Sequence, residues 1–125
     1  MIAVDSSTFI AFFSGDTGRD TEILEEALDT SAVMMVPTVL CELVSDTKLP
    51  SKIERSLLDL PQVSLLDGYW LRAGWLRRNI LKRKRRARLA DTLIAQACID
   101  SNISLLTRDS DFSSYQKYAE LKLVI

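Results

Sequence analysis

The chain predicts an α/β fold, a three-layer α/β/α domain around a central parallel sheet of four to five strands. Two features carry that prediction. Five short runs (residues 2–4, 33–36, 63–66, 103–106 and 121–124) are largely apolar, and helical periodicity fills most of the sequence between them. Strands apolar along their length are buried on both faces, as in a parallel sheet sandwiched between helices. The length of 125 residues and the 47% hydrophobic content suit one domain over residues 1–125, with a core that needs no staples.

The first run, Ile-Ala-Val, ends at Asp5 and hands over to a helix through SSTFIAFFSG, capped by Ser6 or Ser7 and stopped near Gly15. Residues 20–29 form a second helix, with Ile23, Leu24, Ala27 and Leu28 at helical spacing. VMMV at 33–36 is closed by Pro37, and Thr38 opens a helix through TVLCELVSD. Pro50 and Ser51 open another, SKIERSLLDL, which ends before Pro61. After the third strand, a long helix or helix pair is expected from Gly68 to about Arg86 and a further helix from about Leu89 to Asp100. Strands at 103–106 and 121–124 complete the series, the last at a sheet edge.

Composition narrows the chemistry. The chain has no histidine, which excludes Ser-His-Asp and Cys-His nucleophilic catalysis and imidazole-driven RNA cleavage. The commonest zinc ligand is absent too. An enzyme of this composition must work with carboxylates, lysines, hydroxyls or a hard metal ion. Cys41 and Cys98 lie in apolar helical contexts without CxxC spacing, the setting of buried free thiols. No apolar run approaches the ~18 residues of a membrane span. The opening Met-Ile-Ala-Val-Asp lacks a basic n-region, so a cytoplasmic protein with no membrane association is expected.

The net charge of -1 hides a segregation. Residues 72–88 hold nine basic side chains and no acid, leaving seven basic against 17 acidic residues elsewhere. A solvated helix face is the ordinary explanation of such a run; a surface for a polyanion is the other.

Sites on open parallel sheets form beyond the carboxyl ends of the strands. Asp5 follows the first strand, and Thr107, Asp109 and Asp111 follow the fourth, so distant parts of the chain are expected to deliver acids to one edge. Helix capping is the structural alternative for Asp5 and Asp111. Glu42, among Leu40, Cys41, Leu43 and Val44, and Asp91, ahead of TLIAQACI, have surroundings too apolar for ordinary surface acids. Their alternatives are a lone exposed helix position for Glu42 and an N-cap for Asp91. Clustered carboxylates repel one another and persist where a cation compensates them. An oxygen-only set suits Mg²⁺ or Mn²⁺, ions that activate water and stabilise in-line phosphoryl displacement.

These segments resemble the PIN-domain family, in particular the VapC-type toxins of prokaryotic toxin–antitoxin pairs, and the resemblance covers nearly the whole chain. IAVDSSTFIAFF is similar to the family's first strand, its Asp and the following Ser/Thr. VPTVLCELV is similar to the second strand and the helix that bears an acidic ligand. RARLADTLIAQACIDSNISLLTRDSDF is similar to the stretch where an Asp opens an apolar helix and a Thr/Asp cluster follows the next strand. The resemblance implies that Asp5, Glu42, Asp91 and Asp109 are catalytic and hold Mg²⁺ or Mn²⁺, supported by Ser6 and Thr107, with Asp111 as an outer acid. It implies endoribonuclease activity, a homodimer, and inhibition by a cognate antitoxin that enters the active-site groove.

On that reading, Arg78, Lys82, Arg83, Lys84, Arg85, Arg86 and Arg88 track RNA phosphates toward the metal; the alternative is a seat for an acidic part of a partner protein. Trp70 and Trp75 either stack on unpaired bases or fill a core or dimer interface. The dense KRKRR run departs from the commonest family pattern and leaves the backbone before Asp91 open. A phospho-receiver-like signalling domain is the competing reading, with Asp67 and Thr107 at the ends of strands three and four. It lacks an acidic pair after the first strand and leaves Glu42 and Asp91 without purpose. A non-catalytic RNA-binding PIN-like module is the third, disfavoured because it concentrates negative charge beside phosphate.

Overall fold

The computed structural model describes residues 1–125. In order, the elements are β1 (Ile2–Val4), α1 (Ser6–Phe13), α2 (Arg19–Asp29), β2 (Val33–Met34), α3 (Pro37–Val44), α4 (Ser51–Leu58), α5 (Tyr69–Lys82), α6 (Leu89–Asp100), β3 (Ser104–Leu106), a 3₁₀ turn (Ser110–Phe112) and α7 (Ser113–Tyr118). The sheet is parallel with order β2-β1-β3; Ile2 lies opposite Val33 and Ser104, and Val4 opposite Leu106. Neighbouring side chains on a strand point to opposite faces, yet Ala3, Val4, Leu105 and Leu106 are all fully buried. Helices therefore cover both faces, giving the expected three layers.

The sheet has three strands, however, not four or five. The runs expected at 63–66 and 121–124 reduce to single parallel bridges, Gln62 beside Met35 and Leu123 beside Leu105. In a parallel ladder alternate residues bond to alternate neighbours. Leu105 alone in β3 faces outward, donating to the Lys122 carbonyl and accepting from the Val124 N–H. Met35 does the same with Pro61 and Val63, and the next outward position is Pro37, which has no N–H and already belongs to α3. Neither ladder can lengthen, and Leu65 and Leu66 are left exposed.

Helix ends set where the chain goes next. Ser31, Lys84 and Asn102 take left-handed backbone (φ 55, 61 and 51) just past α2, α5 and α6. In each case the following N–H reaches back five residues, Ala32 to Ala27, Arg85 to Ile80 and Ile103 to Cys98. After α2 and α6 this turn feeds directly into β2 and β3. After α5 it stops the helix at Lys82, short of the expected Arg86, so residues 83–88 form an irregular strap ahead of α6.

α6 is the central helix. It packs on both α3 and α5, and its buried residues Ile94, Ala95, Ala97 and Cys98 let both neighbours approach closely. Arg72 ties the start of α5 to the end of α6, gripping Asp100 through Nε (3.0 Å) and Nη2 (2.6 Å) while Nη1 donates to the Asp67 carbonyl. Gly68 makes that possible: its φ is +80°, and a Cβ there would lie 2.7 Å from Arg72 Nη1. Both cysteines are free; Cys41 is exposed, and burial pushes the Cys98 thiol up to about 12. No helix is long and apolar enough to cross a membrane.

Candidate active site

The site begins with register. Because Val4 pairs with Leu106, the residues that follow, Asp5 and Thr107, emerge side by side, and the Asp5 N–H donates to the Leu106 carbonyl. Asp5 is 3% exposed and stands at the N-cap position of α1, but its side chain makes no capping bond. Its Oδ2 instead accepts from Ser7 Oγ at 2.7 Å and Thr107 Oγ1 at 2.9 Å. Two hydroxyls fix one oxygen and aim the carboxylate along the edge. The capping alternative for Asp5 does not apply.

Ser6, expected to support this group, turns the other way and donates to Glu42 Oε1 at 3.2 Å. Ser7 takes the place beside Asp5, and it also lies 3.4 Å from Thr107 Oγ1. One step along a helix rotates a side chain by about 100°, so the start of α1 serves two acids with two successive serines. Glu42 sits on the exposed side of α3 and leans toward this edge.

Asp91 is the third residue of α6, inside the helix and not its cap; Arg88 holds the cap position. One oxygen from each of Asp91, Asp109 and Asp111 falls within a 4.8 Å group. The Asp109 N–H donates to Thr107 Oγ1 (3.0 Å) and its Oδ1 accepts from the Asp111 N–H (2.9 Å). Asp109 is thus the capping acid of the 3₁₀ turn, and Asp111, taken from sequence as an outer acid or cap, belongs to the tightest acid trio. Asp91, Asp109 and Asp111 gather around one point, with Asp5 and Glu42 close enough to act on Asp91 electrostatically.

That coupling is visible in the ionisation of Asp91. Burial, then the charges of Asp5, Asp109 and Glu42, push its pKa from 3.8 to about 6, against a smaller opposing pull from Arg88. Partial burial also raises Glu42, opposed by the Ser6 hydrogen bond and assisted by Asp5. The donors are all oxygens and carry excess negative charge, which fits a hard divalent cation such as Mg²⁺ or Mn²⁺.

A pH effect follows. Between about pH 4 and 6, Asp91 keeps its proton in the folded chain but not in the unfolded one, so protonation favours folding. That contribution is lost as pH rises through about 6. Metal-free protein is expected to melt several degrees lower at pH 7.5 than at pH 5. Asp91→Asn should flatten the slope, read by thermal scans in chelator; equal slopes in both proteins would contradict it.

The basic segment divides. Arg72 and Arg77 are structural, the latter donating from Nε to the Ala87 carbonyl at 2.8 Å. Arg83 bonds Asn79 and stacks over Tyr118, 4.4 Å from the ring centre, where Arg85 also lies. Arg86 reaches Asp111, Nη1 to Oδ2 3.6 Å. Arg78, Lys82, Lys84 and Arg88 are exposed. Trp70 and Trp75 are 67% and 50% exposed on α5, which removes the core reading for both. An apolar groove of about 370 Å³, lined by Ile10, Phe13, Leu43, Leu49 and Ile53, opens beside Glu42.

Sequence reasoning missed Asp20 and Arg108. Asp20 is 5% exposed and accepts from Thr8 Oγ1 (2.9 Å) and from Arg108 Nε (2.8 Å) and Nη2 (2.9 Å). The Arg108 guanidinium holds its carboxyl down at about 2. This bidentate pair pins the segment that carries Thr107 and Asp109 to α2. Asp67, the acceptor in the phospho-receiver reading, lies exposed ahead of α5 and uses its backbone carbonyl on Arg72.

No curated protein sequence matches the chain. Its structure is similar to that of VapBC2 from Rickettsia felis bound to a DNA fragment from their promoter, at 21% identity and a TM-score of 0.70, covering 98% of this chain and 97% of that one. FitAcB from Neisseria gonorrhoeae is similar at 16% identity and a TM-score of 0.74, over 98% and 96%. VapBC-5 from Mycobacterium tuberculosis, a member of the VapBC family of toxin-antitoxin systems, is similar at 21% identity and a TM-score of 0.69, over 98% and 96%. The PIN-domain model matches residues 2–118, which include every acid of the site. With the parallel three-layer fold and the acids gathered at one sheet edge, this chain belongs to the PIN-domain family.

Proposed function

We propose that the chain is a metal-dependent endoribonuclease, the toxin of a toxin–antitoxin pair, with Asp5, Glu42, Asp91 and Asp109 as its catalytic metal-holding acids. The observation that carries this reading is the convergence of Asp91, Asp109 and Asp111 oxygens within 4.8 Å of one another, at the edge where Asp5 is held by Thr107 and Glu42 by Ser6, a concentration of charge that a fold does not need for itself. A divalent cation held there would activate a water and neutralise charge developing on the scissile phosphate. The chain's own residues do the rest. Ser7 and Thr107 fix the orientation of Asp5, Ser6 holds Glu42, and the Thr107 hydroxyl with the Asp109 cap sets the turn that carries Asp111. No histidine is required.

A toxin role is supported by the VapBC systems among the structural relatives. The cognate antitoxin would lie in the apolar groove beside Glu42. Exposed Trp70, Leu71 and Trp75 on α5 support a homodimer interface. The direct test is incubation of antitoxin-free protein with RNA in Mg²⁺, Mn²⁺ or EDTA. Cleavage should require the metal; cleavage that survives EDTA would overturn the reading.

The exposed cations Arg78, Lys82, Arg83, Lys84, Arg85, Arg86 and Arg88 are assigned to RNA phosphates. Neutralising Arg83, Lys84 and Arg85 together should weaken RNA binding and lower the slope of log affinity against log salt by about 2. An unchanged slope would transfer this surface to a protein partner.

A further inference from the structure

Four ion pairs exist in the chain, and three of them lie outside the acid trio: Arg72–Asp100, Arg108–Asp16 and Arg108–Asp20. The fourth is Arg86–Asp111, so Arg86 is the one cation in ion-pair range of the trio. Its geometry differs from that of the Arg72–Asp100 and Arg108–Asp20 pairs. The Arg72 and Arg108 guanidiniums grip buried carboxylates with paired hydrogen bonds. Arg86 Nη1 stands 3.6 Å from Asp111 Oδ2, makes no hydrogen bond to it, and the side chain is 63% exposed. Such a contact is weak and readily exchanged.

The backbone that carries Arg86 is nevertheless held. The left-handed turn at Lys84 folds the strap back, with the Arg85 N–H on the Ile80 carbonyl. On the other side, Ala87 is buried and its carbonyl accepts from Arg77, while the Arg88 carbonyl accepts from both the N–H and the hydroxyl of Thr92. Arg86 thus projects from a fixed point beside the acids on a free side chain. A fixed root with a loosely engaged head leaves the guanidinium free to take another partner.

We propose that Arg86 is an exchangeable counter-ion of the active site: it neutralises Asp111 in the free protein and moves to an RNA phosphate when substrate binds, releasing Asp111 to the divalent cation. The proposal rests on the metal-dependent nuclease reading above. A phosphate offers a guanidinium two parallel charge-assisted hydrogen bonds, which Asp111 at its present distance does not. Released from Arg86, Asp111 adds its full charge to Asp91 and Asp109. Metal and RNA therefore favour each other's binding, and by linkage the effect is reciprocal. The site is assembled fully only when both are present.

The test reads metal binding, not turnover. Mn²⁺ affinity is measured by the electron paramagnetic resonance of free Mn²⁺, with and without a short single-stranded phosphorothioate RNA. The proteins are the wild type, Arg86→Ala, Arg86→Lys, Asp111→Asn and the Arg86→Ala/Asp111→Asn double variant. Arg86 makes no hydrogen bond, so its variants keep the fold. Without RNA, Arg86→Ala should bind Mn²⁺ about five- to tenfold more tightly than wild type, and RNA should tighten wild type more than Arg86→Ala, by a similar factor. Arg86→Lys should retain part of the coupling. In the Asp111→Asn background, removing Arg86 should change little. The proposal is overturned if Arg86→Ala leaves Mn²⁺ affinity unchanged, if RNA tightens both proteins equally, or if the Arg86→Ala effect persists undiminished without Asp111. Absence of Mn²⁺ binding in every protein would instead remove the metal-site reading, and the proposal with it.

Discussion

Asp91→Asn is expected to lower metal-dependent RNA cleavage by about a hundredfold or more while leaving the protein folded and, without metal, more stable. The two effects have one cause. Asp91 holds its charge in a half-buried position beside Asp5, Asp109 and Glu42, and the free protein bears that repulsion with only a small offset from Arg88. Asparagine keeps the shape and hydrogen-bonding capacity but removes the charge, so the repulsion disappears together with the charge a cation needs. Asp5→Asn should be equally inactive. There the two hydroxyl donors of Ser7 and Thr107 would meet an amide instead of a carboxylate oxygen, so part of the local order is lost as well. Cleavage assays beside urea unfolding curves in chelator check both halves. An Asp91→Asn protein that is active, or one that is inactive because it is unfolded, would contradict the assignment. Gain in stability with loss of function is the signature of a site held under strain for its chemistry.

Arg108→Ala should produce the opposite pattern, a clear loss of folding stability. Asp20 would remain almost fully buried with Thr8 as its remaining side-chain donor. Its carboxyl, held at about 2 by Arg108, contributes stability that is fully present above about pH 4 and is lost as pH falls toward 2. The variant should lose that acid-range contribution, so its stability will fall less steeply between pH 4 and 2 than the wild type's. Urea unfolding at pH 7 and pH 3 reads both effects. An unchanged unfolding midpoint at pH 7 would place Arg108 among ordinary surface residues. Arg108 lies between Thr107 and Asp109, so the same variant should also loosen the turn that presents Asp109 and Asp111.

How far the sequence could be read depended on whether a feature was local. Asp5 and Thr107 could be placed together because each follows a short apolar run, and parallel strands in one sheet bring such ends to one edge. Asp91 and Glu42 stood out as acids in apolar helices. What failed needed three dimensions. Whether Ser6 or Ser7 faces Asp5 depends on helix phase at a terminus, where a shift of one residue exchanges their partners. The segments at 63–66 and 121–124 carry strand-like composition, but ladder length depends on which partner residues face outward and on Pro37, none of which composition records. Residues 83–88 have helix-favouring composition, and the turn at Lys84 overrides it by giving α5 a capped end. The Asp20–Arg108 pair joins residues 88 apart in sequence, and each alone looks like an ordinary surface charge. Asp111 is an outer acid by the family resemblance and a helix cap by its place before Phe112; the cap is in fact Asp109.

The central claim is that this sheet edge holds a divalent cation among named carboxylates. Crystals of the protein soaked in Mn²⁺ and measured for anomalous scattering test it most directly. The account predicts a peak liganded by the set Asp5, Glu42, Asp91 and Asp109, and its disappearance in Asp91→Asn. A map with no peak at these acids, or one that places the ion elsewhere with Asp91 unliganded, would contradict it.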